Sequence, residues 1–201
     1  RQRQMCIRDS FMAASLRDLQ CFIFDMDGTL LDSMPAWNHL GSDLLRRHGI
    51  EPAADLDQRL KVLSARQGAA LCREEYRLTE TVDEIMDEIE AQVDDFYHHE
   101  VRPKPGVEKF LSLLKMEGVW MYVATATDRH LAQAALRCAG IDGYFRGIVT
   151  TADVSKGKDE SPEIYERAMT RLQSNKRDTI IFEDALHAIR TAKAAGFRVA
   201  A

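Results

Sequence analysis

Asp25 and Asp27 stand at i and i+2, directly after the apolar run Cys21-Phe22-Ile23-Phe24 and directly before Gly28 and Thr29. An apolar run of this length that breaks into a glycine turn reads as a buried strand delivering two carboxylates to its carboxyl end. Two acids that close repel each other, so keeping both ionised calls for a cation, and an all-oxygen donor set suits Mg²⁺. Gly28 permits a sharp turn beyond them, and the Thr29 hydroxyl can support it. Phosphoryl transfer is the chemistry such a strand end serves. A carboxylate attacks a phosphate ester poorly because both are anions, and attack becomes feasible once a metal and hydrogen-bond donors neutralise the equatorial oxygens.

Other elements must bring partners to that strand end. Val119-Trp120-Met121-Tyr122-Val123-Ala124 is a second apolar segment and closes on Thr125; Thr179-Ile180-Ile181-Phe182 is a third and closes on Glu183-Asp184. Between them Lys158, with Lys156 two residues earlier, precedes Ser161-Pro162-Glu163, which is expected to supply a cap, a proline at the first helical position and an acid in the first turn. Asp128 is the expected N-cap of the helix after the second strand, and Asp184 can cap the helix that follows it. Strand and helix alternate along this part of the chain, the pattern of a parallel sheet covered on both faces. The stretches Asp32-Ser33-Met34-Pro35 and Val101-Arg102-Pro103-Lys104-Pro105-Gly106 are punctuated linkers. The sequence they bracket is helical in character, with Trp37, Leu40, Leu44 and Leu45, and again Ile85, Ile89, Val93 and Phe96, at helical spacing.

Composition bounds the function. With 45% hydrophobic and 29% charged residues in 201, the chain has ordinary globular composition and enough length for a good core. A net charge of -5 with scattered Lys and Arg argues against a nucleic-acid partner. No apolar run approaches the length of a membrane-spanning helix, so no membrane partner is expected. Cys6, Cys21, Cys72 and Cys138 lie far apart without metal-ligand spacing and read as reduced, mostly buried thiols, which points to a cytoplasmic setting.

The string FDMDGTLLDS at residues 24–33, the hydroxyl strand end at Thr125, the lysine of GKDESPEIY and the acidic pair before ALHAIRTAKAAGF occur in the order and at the strand ends seen in the haloacid dehalogenase-like (HAD) hydrolases, which this chain resembles from about residue 20 onward. The resemblance implies an α/β fold with a doubly wound (Rossmann-like) parallel sheet and a small all-helical cap inserted after the first strand. It implies a core of residues 12–33 and 102–201 and a cap of residues 34–101. It further implies that Asp25 is the nucleophile and Asp27 the general acid and base, and that Thr125 and Lys158 hold the phosphoryl oxygens. The Asp25 carboxylate, the Asp27 backbone carbonyl and Asp184 are the implied Mg²⁺ ligands, with Glu183 as a further ligand or a support. Lys156 stays open as the alternative to Lys158. The implied activity is hydrolysis of a small phosphorylated metabolite.

Two other readings stand beside it. A sugar-phosphate mutase of the β-phosphoglucomutase type shares the core and cap, but such mutases carry Gly, Arg and His where Val62, Ala65 and Trp37 stand, leaving Arg66 as a one-residue-shifted substitute. A truncated, non-catalytic domain is the other, because Phe197-Arg198-Val199-Ala200-Ala201 begins like a strand at the end of the chain. Residues 1–11 are set apart as a non-native or disordered tail, with Met12 as a candidate start. His39, Arg46, Arg47, Lys61, Arg66 and Arg73 are the cap cations that could meet an anionic leaving group. Neither the substrate nor the oligomeric state can be read from the residues.

Overall fold

The computed structural model describes residues 20–61 and 63–201; the 1–11 tail, Met12, Cys6 and Val62 lie outside the described residues. The chain divides into two compact units, one of Ser33–Val101 and one of the residues before and after it.

Strand β1 (Cys21–Phe24) opens the first unit and is followed by the four helices of the second: α1 (Met34–Arg47), α2 (Leu56–Leu60), α3 (Ala65–Tyr76) and α4 (Val82–Asp95). Helix α4 runs on into a single π-turn at Phe96–Glu100. Two of these helices begin at reciprocal capping boxes. The Ser64 hydroxyl accepts the Gln67 N–H while the Gln67 side chain accepts the Ser64 N–H, and Thr81 and Glu84 do the same at α4. Leu44, Leu45, Leu56, Ala69, Cys72, Leu78 and Ile85 form the unit's core. Trp37, expected on the buried stripe of α1, is 42% exposed, and its indole N–H donates to the Tyr97 hydroxyl at 2.9 Å. The amphipathic indole keeps its polar edge bonded without full burial.

The remaining elements alternate along the chain: α5 (Val107–Met116), β2 (Trp120–Thr125), α6 (Arg129–Cys138), β3 (Ile148–Thr150), α7 (Glu163–Arg171), β4 (Thr179–Phe182), α8 (Leu186–Ala194) and β5 (Arg198–Ala200). The strands form one parallel sheet in the order β3-β2-β1-β4-β5. This is the doubly wound α/β arrangement, and the strand order reverses at β1, where such sheets take ligands.

Side-chain alternation in β1 shows why both faces are covered. Cys21 and Ile23 join Ala124, Val149, Ile164, Tyr165, Ala168 and Ile181 in one core. Phe22 and Phe24 point the other way and pack with Phe182 and with Phe110 of α5, the Phe24 and Phe182 rings stacked at 4.7 Å. A strand that is apolar on both faces is a continuous hydrophobic run, as the sequence has it.

Two caps depart from expectation, and a third stands where expected but without its side-chain bond. Pro162 sits at the N-cap of α7 rather than at its first helical position, and the Ser161 hydroxyl accepts the Glu163 N–H at 3.2 Å. Asp128 occupies the N-cap of α6 without a side-chain bond to the helix. At α8 it is Glu183, not Asp184, whose carboxylate accepts a backbone N–H, that of Ala185 at 3.2 Å. Asp184 is engaged instead by the Thr29 hydroxyl, and local capping preference is weak enough to yield to such a partner.

Candidate active site

The register between β1 and β4 brings the first acids together. Phe24 pairs with Phe182, and the Asp25 N–H donates to the Phe182 carbonyl at 2.9 Å, so Asp25 and Glu183 follow side by side on adjacent parallel strands. By alternation both project to the face that carries Ile23 and Ile181. Two carboxylates placed so, 6% and 2% exposed, would repel strongly in a medium of low dielectric. Lys158 resolves this. Its ammonium, itself 7% exposed, bonds Asp25 Oδ1 and donates to Glu183 Oε2 at 2.9 Å. Lys156 is exposed.

Burial is the strongest influence on both partners and opposes charge on each. Lys158 nonetheless ends above its ordinary value, because two carboxylates favour its ammonium. Asp25 is pushed up to about 7, because Glu183 and Asp27 add to burial against a single favourable cation. Tyr165, from the first turn of α7, donates its hydroxyl to Glu183 Oε2 at 2.7 Å, and burial next to that carboxylate pushes the phenol up, so it remains a donor.

Asp184 is exposed at the same strand end and accepts the Thr29 hydroxyl at 3.0 Å on Oδ1. Asp25, Glu183 and Asp184 each offer a carboxylate oxygen within 4.8 Å of the others. This donor set fits Mg²⁺ chemically: it is all oxygen, and three carboxylates with one ammonium leave an excess of two negative charges, the charge of one divalent cation.

The loop after β1 is held by its own surroundings. Gly28 takes a φ of 79°, which only glycine adopts readily, and its carbonyl accepts the Lys104 ammonium. The Lys104 N–H donates to Leu30 and the Asp32 N–H to Arg102, so the second linker is stitched to the loop. Asp27 Oδ2 accepts the Thr127 hydroxyl at 2.7 Å, and the Thr127 N–H donates to the Thr125 hydroxyl at 3.1 Å. Thr125 is buried at the carboxyl end of β2.

The structure therefore gathers Asp25, Lys158, Glu183 and Asp184 into one cluster and links Asp27 to Thr125 through Thr127. Sequence reasoning missed Thr127 and Tyr165. Thr127 carried a signal: hydroxyls at 125 and 127 repeat the i, i+2 spacing of the two aspartates. Tyr165 carried none, since only tertiary packing aims a helical tyrosine at a strand end. In the other unit, four of the six candidate cations are engaged locally: His39 with Asp57, Arg46 with Asp43, Arg66 with Asp83, and Arg73 with the Glu80 carbonyl.

Comparisons with known proteins fit this geometry. The family model described as haloacid dehalogenase-like hydrolase matches residues 22–201. A phosphorylated carbohydrates phosphatase of Thermotoga maritima is 26% identical over 178 residues, covering 89% of this chain and 82% of that protein. A bifunctional riboflavin kinase/FMN phosphatase of Arabidopsis thaliana is 31% identical over 202 residues, covering 94% of this chain and 50% of that longer protein. A crystal structure from Thermotoga maritima, described provisionally as a β-phosphoglucomutase, superposes with a TM-score of 0.82 at 26% identity, covering 90% of this chain and 84% of that one.

Proposed function

Because the chain belongs to the haloacid dehalogenase-like hydrolase family, we propose that it is a Mg²⁺-dependent phosphatase that hydrolyses a small phosphomonoester metabolite through an aspartyl phosphate on Asp25. The observation that carries this reading is the cluster at the switch point of the sheet: a buried carboxylate on β1 with Lys158, Glu183 and Asp184 around it. The names of the Thermotoga and Arabidopsis relatives support a phosphorylated metabolite as substrate. The free, buried thiols of Cys21 and Cys72 support a reducing, cytoplasmic setting.

The Asp25 carboxylate, the Asp27 backbone carbonyl and Asp184 would hold the ion, with Glu183 in the same group of oxygens. When bound, Mg²⁺ would supply charge neutralisation for the phosphoryl oxygens and keep Asp25 ionised. An Asp25 oxygen attacks phosphorus and the ester P–O bond breaks, while Asp27 gives its proton to the leaving oxygen. Asp27 then takes a proton from water, whose oxygen attacks the phosphorus of the aspartyl phosphate and frees Asp25. The Thr127 hydroxyl on Asp27 Oδ2 keeps the travelling proton at a defined place. Lys158, a compact charge, and the Thr125 hydroxyl would hold the phosphoryl oxygens.

A second reading, a sugar-phosphate mutase, is favoured by the Thermotoga superposition. Against it, Arg66, the residue that would have to replace a mutase arginine, is ion-paired with Asp83 at 2.8 Å. The test is phosphate release from a panel of small phosphomonoesters, with Mg²⁺ and with chelator, for the wild type and Asp25→Asn. Release that needs Mg²⁺ and is abolished by the substitution is the expected result. Growth of a 6-phosphate product from a 1-phosphate sugar without net phosphate release would establish the mutase instead, and no release from folded protein would sink both.

A further inference from the structure

Tyr165 is a fully buried residue of α7 whose ring packs in the core, edge-on to Phe197 with centroids 6.3 Å apart. Phenylalanine would fill that space equally well. The hydroxyl is the one group that packing does not explain, and a hydroxyl in such a place is unfavourable unless it is bonded. Its partner is Glu183 Oε2, at 2.7 Å, the same oxygen that accepts the Lys158 ammonium at 2.9 Å. The other oxygen, Oε1, accepts the Ala185 N–H at 3.2 Å. Glu183 is thus oriented from three sides, by α7, by Lys158 and by the start of α8.

We propose that Tyr165 is a positioning residue that fixes the Glu183 carboxylate and, through it, the Lys158 ammonium. Lys158 bridges Asp25 and Glu183. Once Asp25 is taken up by a cation or a phosphoryl group, Glu183 alone must keep the ammonium in place, and the Tyr165 hydroxyl keeps Glu183 from following it. The inference rests on the phosphatase reading for its role in turnover and on the carboxylate cluster alone for its role in cation binding. Groups that orient metal-site side chains typically change affinity or activity by about 10–100-fold when removed.

The experiment compares wild type, Tyr165→Phe, Glu183→Gln and the double variant. Calorimetric titration with Mg²⁺ without substrate reads cation affinity, steady-state kinetics separate kcat from KM, and the melting temperature reports folding. Tyr165→Phe is expected to weaken Mg²⁺ binding about tenfold and lower kcat about tenfold, with substrate KM and melting temperature nearly unchanged. In the Glu183→Gln background the same change should add little, because the hydroxyl acts through Glu183. Equal Mg²⁺ affinity and kcat for Tyr165→Phe and wild type would overturn the proposal, as would an undiminished effect in the double variant. A wild type that binds Mg²⁺ but releases no phosphate would remove the phosphatase reading and leave the calorimetric comparison decisive. A wild type that binds no Mg²⁺ would overturn both.

Discussion

Lys158 offsets two buried carboxylates at once. It is the cation held between two buried carboxylates that adjacent strands force together. Removing one partner of such a buried group leaves uncompensated charge, which costs about 3–5 kcal/mol. Lys158→Met is therefore expected to lower stability by about that amount in denaturant titration, in addition to abolishing phosphate release. The sign of its pH dependence follows from Asp25, raised to about 7 in the folded chain. Protonation of Asp25 favours the fold fully below its ordinary value, and that contribution declines above it and is lost as pH rises through the folded value. With Lys158 gone, the destabilisation should be larger in alkaline than in mildly acidic buffer. A variant as stable as wild type at both would contradict the account.

At the scale of elements, the site depends on loops that are tied to neighbouring loops rather than left free. Arg129, at the start of α6, donates to the Ile148 carbonyl at 2.9 Å and bonds Asp153, while the Thr151 hydroxyl reaches the Ala126 carbonyl at 3.2 Å. These contacts fasten edge strand β3 to the loop that carries Thr127. The Thr150 N–H, at 2.7 Å, is the chief cause that holds the Asp153 carboxyl below the usual aspartate range, with Arg129 adding to it. A carboxyl with a depressed folded value stabilises the fold above its ordinary value and ceases to do so as pH falls through the folded one. Asp153→Ala should cost about 1 kcal/mol at neutral pH, as the loss of a cap does. Its melting temperature should converge on that of wild type in acid, and a gap that persists there would refute the charge argument.

For the molecule as a whole, the excess of negative charge in the cluster links folding to cation binding. An ion that binds the folded chain alone stabilises it by about 2.7 kcal/mol at one hundred times its dissociation constant. The melting temperature should therefore climb with Mg²⁺ concentration and return on chelation, and Asp184→Asn should flatten the climb. Wild-type protein whose melting temperature ignores Mg²⁺ would argue against the cluster as a metal site. Among the described residues no helix is long and apolar enough to cross a membrane.

What the residues determined by themselves was the local and the periodic. The four-residue apolar run before Asp25, the hydroxyl that closes β2 and the acids after β4 were legible, because a buried parallel strand must be continuously apolar and its polar groups can appear only where it ends. The helical insert was legible for the same reason, its apolar residues recurring at helical spacing. Tertiary structure alone decided the partnerships. The register of β1 on β4 made Glu183 a buried neighbour of Asp25 instead of an outlying acid. The approach of the α7 segment chose Lys158 over Lys156 and aimed Tyr165 at Glu183, and the loop after β2 gave Asp27 its hydroxyl partner. The hydrogen-bonded pairs among them join residues from 18 to 133 positions apart, and no local spacing encodes them. They exist because burying charge is unfavourable until a partner from another element arrives to offset it.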